Sequence, residues 1–250
     1  MKIKIILLSF TLAIIIGAFI FPGSSAKTKN NSDHIITIST KYGDMKFILY
    51  EATPLHKENF IKLVKKGYFD STTFHRVINQ FMIQGGDPNS KDSNPNNDGL
   101  GGPGYTIPSE FNSKLFHKKG ALAAARQPDA INPKKESSGS QFYIVQGRPV
   151  SNDELKRLSS FMKQDYSVDQ IKIYNELGGT PHLDGEYTVF GEIISGMNVI
   201  DSISNVRVNS AKRPYDNIYM KIKEEEMKKK KITKLYNYVY PPVDQATTKK

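Results

Sequence analysis

The chain has 250 residues and a formal net charge of +10, with 38% apolar and 24% charged residues. That length carries one large domain or two small ones with a real core, and the composition excludes a disordered chain and a multi-span membrane protein. The absence of cysteine excludes disulfides, thiol catalysis, cysteine-ligated zinc, iron–sulfur clusters and a lipid-modified N-terminal cysteine, and five histidines without paired spacing argue against a metal enzyme.

In chain order, Lys2 and Lys4 precede an uncharged stretch from Ile5 to Phe21, followed by Ser24-Ser25-Ala26. A charged start, an apolar middle and a small-residue end predict an export signal over residues 1–26, with cleavage after Ala26. The stretch also has the length of a short membrane anchor, so a retained tether is the alternative. Residues 27–34 are polar and read as a linker. Ile36 and Ile38, then Met45, Phe47 and Leu49, alternate with polar neighbours and predict two strands joined by a turn at Lys41–Asp44. Thr53-Pro54 predicts an N-capped helix with the apolar stripe Phe60, Leu63 and Val64, ended by Gly67.

Phe74 to Ile83 reads as a strand closed by Gly85-Gly86-Asp87. Residues 88–104 form a long polar loop of the kind that carries function or moves. Ala121–Ala125, Gln141–Val145 and Tyr187–Ile194 are expected strands, Gly196–Ile203 a short helix, and Ile218, Met220 and Ile222 a late strand. Many short strands with few helices indicate a mainly β barrel or sandwich. Residues 150–180 differ. Ser151 with Glu154, and Ser167 with Gln170, are two capping boxes, and each opens an amphipathic stripe. They predict a helical hairpin inserted between strands, either a packed insertion or a lid that binds a partner.

The charge sits at the ends. The first 26 residues carry two Lys and no acid, and residues 226–250 carry seven Lys against Glu226 and Asp244. The Lys228–Lys231 run is read as a solvated basic tail, with contact to anionic lipid or nucleic acid as the alternative. No aromatic-and-basic stripe supports nucleic-acid binding.

The informative motifs are Phe74-His75-Arg76, Phe81-Met82-Ile83-Gln84-Gly85-Gly86-Asp87, Gly101-Gly102-Pro103-Gly104-Tyr105-Thr106-Ile107-Pro108, Gly139-Ser140-Gln141-Phe142-Tyr143-Ile144, Leu183-Asp184-Gly185 and Val189-Phe190-Gly191. In this order and spacing the sequence resembles the cyclophilin family of peptidyl-prolyl cis–trans isomerases, in its bacterial branch, over about residues 35–225. The resemblance implies a closed antiparallel eight-stranded β-barrel capped by two helices, with residues 150–180 inserted. It implies proline-containing polypeptides as partners, no cofactor or metal, no nucleic acid, and a monomer. With the signal, it implies work on exported proteins, in the periplasm or outside the cell.

The chemistry follows from the peptide bond. Rotation is opposed by about 18–20 kcal/mol because the nitrogen lone pair is delocalised. For an Xaa–Pro bond cis and trans lie close in energy, so a catalyst need only lower the barrier. In the twisted transition state the proline nitrogen regains its lone pair and accepts a hydrogen bond, so a fixed cationic donor aimed there stabilises it selectively. Arg76 is the candidate donor. By resemblance Phe81, Met82, Tyr143 and Leu183 line the proline pocket, Gln84 orients Arg76, and Gln141 contacts substrate. The main chain at Ala125 and Arg126 pairs with the substrate as an added strand, and His75 and Tyr187 complete the rim.

Taken singly, Phe81, Met82 and Leu183 read first as plain core and His75 as a structural histidine, and Arg76 could be an ion-pair partner; the joint pattern, not any single position, carries the functional reading. A non-catalytic polypeptide-binding module and a membrane-tethered scaffold are the rival functions. Several positions depart from the family pattern. His182 stands where drug-sensitive members carry tryptophan, Tyr187 where many carry histidine, Tyr143 for a common phenylalanine and Arg126 for a common asparagine. Isomerase activity is expected to survive these changes, and tight cyclosporin binding is not.

Overall fold

The computed structural model describes residues 31–92 and 94–241. The expected export signal over residues 1–26 and the first part of the expected 27–34 linker lie outside the described residues. The elements run β1 (Ser32–Thr40), β2 (Gly43–Leu49), α1 (Pro54–Lys65), β3 (Arg76–Ile78), β4 (Met82–Gly85), β5 (Thr106–Ile107), β6 (Ala121–Ala124), β7 (Ser137–Ser138), β8 (Phe142–Val145), α2 (Asn152–Met162), α3 (Val168–Glu176), β9 (Val189–Ser195), α4 (Met197–Ser204), β10 (Lys221–Lys228) and α5 (Lys229–Tyr236).

Eight strands form one antiparallel sheet in the order β10-β1-β2-β9-β6-β8-β4-β3, and β5 pairs with β7 apart from it. Among the described residues the fold is thus mainly β, with five α-helices. The ladder ends at β10 and β3, so the paired strands do not by themselves make the expected closed ring. The segments that precede those two strands do meet. Phe74 N–H donates to the Ile218 carbonyl at 3.0 Å and Met220 N–H to the Thr72 carbonyl at 2.9 Å, around a bridge between Thr73 and Tyr219.

Strand alternation divides the interior into two cores. Leu122, Ala124, Phe142 and Ile144 face one side, with α1 (Phe60, Leu63, Val64) and α4 (Val199, Ile200, Ile203) packed over them. Ala121, Ala123, Tyr143 and Val145 face the other, with Met82 and Val189. Both faces are buried, which explains why β6 and β8 read as unbroken apolar runs.

Several expectations need correction. Phe74–Ile83 is not one strand, because the chain folds back on itself between β3 and β4 through Gln80, whose φ is 61°. Thr53 does not cap α1. The Leu55 and His56 N–H groups both donate to the Glu110 carboxylate, each at 3.0 Å. A carboxylate satisfies two orphan donors and complements the helix dipole, which a hydroxyl does less well. In α2, Ser151 Oγ accepts from Glu154 N–H at 3.3 Å, but the Glu154 carboxylate turns outward to Arg148, so only half of the box forms. The Ser167–Gln170 box is complete.

The linker and tail boundaries also move. β1 begins at Ser32, inside the expected linker, and Asp33 is buried against Lys57 Nζ at 2.6 Å. The expected solvated tail continues β10 to Lys228 and then forms α5. Ile232 is fully buried with Ile35, Ile48 and Met227, and Tyr236, Tyr238 and Tyr240 pack around them. A single inward residue among lysines suffices because β1 and β2 already present an apolar patch for it. Residues 242–250 lie outside the described residues. Among the described residues no helix is long and apolar enough to cross a membrane.

Candidate active site

The site is assembled by cross-strand register. Arg76 on β3 lies opposite Gln84 on β4, Gln84 opposite Tyr143 on β8, and Tyr143 opposite Ala123 on β6. Directly opposed residues share a face, so one strip crosses four strands, and Met82, two residues from Gln84, joins it. Met82 and Tyr143 are buried at 2% and 4% exposure, and the small side chains of Ala121 and Ala123 keep the surface flat. Phe81, Ala125, Leu183 and Tyr187 pack around this floor and stay partly exposed. Of the predicted pocket residues, Phe81, Met82, Tyr143, Leu183 and Tyr187 therefore come together.

Phe81 is fixed through its main chain. Its N–H donates to the Ile78 carbonyl at 3.1 Å, and its carbonyl accepts from Gln146 N–H and Gly147 N–H, both at 3.0 Å. Its ring stacks on His182, with centroids 5.6 Å apart and planes at 23°.

Arg76 lies half-buried at the edge of the floor. Its Nη1 donates to Gln84 Oε1 at 3.2 Å and lies 3.8 Å from Met82 Sδ. Among the described residues no carboxylate pairs with it, and burial lowers its pKa from the ordinary arginine value. The guanidinium stays charged, since arginine does not deprotonate in proteins. An unpaired, partly desolvated cation with unspent donors is costly in a purely structural role. The ion-pair reading of Arg76 is thereby removed.

Gln84 passes the orientation on. Its Nε2 donates to Gln141 Oε1 at 3.1 Å, and Gln141 Nε2 donates to the carbonyls of Gly99 and Gly101 at 2.9 and 2.8 Å. Both amide N–H groups of Gln141 are thus spent on the 88–104 loop. Asp87, fully buried, holds the same loop from below by accepting from Asn89 N–H at 2.8 Å and from the Gly99 and Gly101 N–H groups. A Cβ at position 101 would lie 2.2 Å from Asp87 Oδ1, so that approach requires glycine.

Two further placements differ from expectation. His75 is not at an open rim. It is 5% exposed, neither ring nitrogen makes a hydrogen bond of ordinary geometry, and burial lowers its pKa to about 4 against the opposing pull of Asp87 and the Thr73 carbonyl, helped by the Arg213 and Arg76 charges. Alternation along the chain turns it away from Arg76. The Ala125 main chain is already bonded within the chain: its N–H donates to the Gln141 carbonyl at 3.0 Å and its carbonyl accepts from Ser138 N–H at 2.7 Å. The Arg126 side chain is anchored by the Glu186 carbonyl at 2.8 Å and by Asp129, and its guanidinium lies 4.5 Å from the Tyr187 ring centroid.

Beneath the floor runs a polar chain that the motifs did not reveal. The Tyr143 hydroxyl lies 2.9 Å from His117 Nε2, and His117 Nδ1 lies 2.7 Å from Asp184 Oδ1. Asp184 also accepts from His117 N–H at 2.8 Å and from the Tyr174 hydroxyl of α3 at 2.5 Å. All four residues are buried. Burial raises the Tyr143 pKa well above its ordinary value, so the hydroxyl keeps its proton for hydrogen bonding. Asp184 sits in the Leu183-Asp184-Gly185 motif. His117 and Tyr174 carry no sequence signal that sets them apart.

Comparison with known proteins agrees with this geometry. The family model of cyclophilin type peptidyl-prolyl cis-trans isomerase/CLD matches residues 35–225. A Staphylococcus epidermidis protein named as a peptidyl-prolyl cis-trans isomerase is 36% identical over 211 residues, covering 82% of this chain and 98% of its own length. A Staphylococcus aureus protein of the same name is 39% identical over 187 residues, covering 73% of this chain and 87% of its own. The crystal structure of a Cryptosporidium parvum cyclophilin type peptidyl-prolyl cis-trans isomerase superposes with a TM-score of 0.58 at 28% identity, covering 78% of this chain and 98% of that one. The same protein was also solved in the presence of the dipeptide Ala-Pro, and that structure superposes with a TM-score of 0.56. The chain belongs to the cyclophilin-type peptidyl-prolyl cis–trans isomerases and has their fold.

Proposed function

We propose that this isomerase accelerates rotation about Xaa–Pro bonds in exported polypeptides as they fold, and that Arg76 lowers the barrier by donating to the proline nitrogen of the twisted amide. The observation that carries the reading is an arginine with no carboxylate partner, oriented by Gln84 at the edge of an apolar floor made by Met82, Tyr143, Phe81 and Leu183. The proline ring rests on that floor while the other side of the bond turns. At the planar ground states the nitrogen lone pair is delocalised and accepts poorly. At the twisted state it accepts well, so the donor favours the transition state over both ground states. No nucleophile, metal or general base enters.

The Ala-Pro dipeptide used with the Cryptosporidium parvum relative supports proline-containing polypeptides as the clients here. With Ala125 already hydrogen-bonded, Arg126 is the position whose main chain meets the residues before the proline. The meeting at Thr73 and Tyr219 supports reading the sheet as a closed barrel, and the chain is read as a monomer. Arg76→Ala is expected to lower turnover of a short Xaa–Pro peptide at least about tenfold, about 1.4 kcal/mol of barrier, with an unchanged circular dichroism spectrum. Equal turnover by variant and wild type would remove Arg76 from the mechanism. For export, N-terminal sequencing of protein recovered from cells is expected to give a start near Lys27. An intact Met1 end in the membrane fraction would assign the segment to an anchor.

A further inference from the structure

We propose that the groove between α2 and the 111–115 segment is a second subsite for the same client polypeptide and takes one of its large apolar or aromatic side chains. The proposal rests on the reading above, that the Met82–Tyr143 floor receives the client's proline. The groove encloses about 710 Å³ and is lined by Phe111, Leu115, Leu158, Phe161, Met162 and His182, among others. That volume lies within the range of about 300–1,000 Å³ typical of sites that hold small ligands.

The insertion builds one wall. Leu155, Leu158 and Met162 recur on one face of α2, but only its first part is covered, where Leu155 packs with Val150 and Tyr174. The last turn carries the stripe out over the hollow, and there Phe161 is 87% exposed and Phe111, across the groove, 39% exposed. One exposed phenylalanine needs no explanation, but two beside a concave apolar surface mark a place that gains by being covered.

The occupant is argued from continuity with the catalytic face. His182 belongs to both places, since its ring stacks on Phe81 and also lines the groove. Leu115 likewise lines the groove and packs with the cluster that holds Tyr143 and Leu183. A chain leaving the proline floor over the His182 ring therefore reaches the groove directly. The polar rim carries Lys163, Asp184 and Glu186, and its two acids are already committed within the chain. Glu186 is already held by Arg126 and Lys135, and Asp184 is buried against His117. An uncharged apolar side chain near the proline in the client sequence satisfies all of this.

The test uses the full chain and short peptides with a single Ala–Pro bond, in which one flanking position on either side of the proline is Phe or Ala in turn. At the best position Phe is expected to raise kcat/KM about tenfold over the Ala peptide, through KM. In Phe161→Asp the Phe-to-Ala ratio falls to about one, and in Phe161→Tyr it persists. Because the ratio is internal to each variant, a general loss of activity does not imitate the result. A wild-type ratio of one at every position, or an unchanged ratio in Phe161→Asp, overturns the subsite. Sedimentation that finds a wild-type dimer converted to monomer by Phe161→Asp assigns the groove to a second copy and also overturns it. Failure of the wild type to accelerate any of the peptides, the Ala reference included, overturns the catalytic reading and the subsite together.

Discussion

The two polar systems that flank the Met82–Tyr143 floor follow opposite rules. On one side Arg76, Gln84 and Gln141 form a chain that ends in a cation with unspent donors. On the other, Tyr143, His117, Asp184 and Tyr174 are buried and bonded to one another. The first keeps hydrogen-bonding capacity unspent, which the proposed mechanism assigns to the proline nitrogen. The second spends its capacity internally, and so fixes the floor and ties it to α3 of the insertion. The contrast teaches that chemistry in this protein is located by what is left unsatisfied, and rigidity by what is not.

Breaking each side should therefore cost different quantities. The largest effect is expected from His117→Ala. It strips Asp184 and the Tyr143 hydroxyl of their shared partner in a buried site, costing about 3 kcal/mol of stability, and lowering the melting temperature by roughly 6–12 °C. Calorimetry checks it, and a melting temperature within a degree or so of wild type would mean that the chain under Tyr143 is not structural. Arg76→Ala comes next, with its loss of turnover and an unchanged melting temperature. A matching loss of stability would place Arg76 on the structural side of the comparison.

Acidification sharpens the same contrast more gently. His75 is buried and its pKa falls from 6.5 to about 4, chiefly through desolvation. A depressed histidine contributes full stability above its unfolded value and loses it as the unfolded chain takes up protons. Stability should thus fall as pH drops from 6.5 toward 4, by about 1.4 kcal/mol at pH 5.5 from this group. His56 and His182 shift the same way, so His75→Gln should remove part of the slope. Denaturant midpoints across that range decide, and an identical slope in the variant would contradict the assignment. Comparable in size is the loss, about tenfold in kcat/KM, of the preference for a flanking aromatic in Phe161→Asp.

Much of this was legible in the sequence, for identifiable reasons. Alternation in β1 and β2 and the apolar stripe of α1 follow directly from burial on one face. The pocket residues were legible because their motifs occur in a fixed order, and pairing between β3, β4 and β8 then sets Arg76, Gln84 and Tyr143 side by side. What escaped depends on partners distant in the chain. Glu110 caps α1 from 54 residues beyond His56. His117 meets Asp184 across 67 residues. α5 hides in a lysine run because its one inward residue, Ile232, makes no period. Gln141 and Ala125 were matched to substrate by resemblance, but both turn their polar groups to their own chain.

The central claim is that the Arg76 guanidinium lowers a rotational barrier and does not merely hold the peptide. Exchange NMR on a short Xaa–Pro peptide, with binding titrated on the same samples, separates the two. The account predicts that Arg76→Ala loses most of the cis–trans exchange while the peptide binds nearly as before. Exchange that persists, or that falls only in proportion to weakened binding, would contradict it.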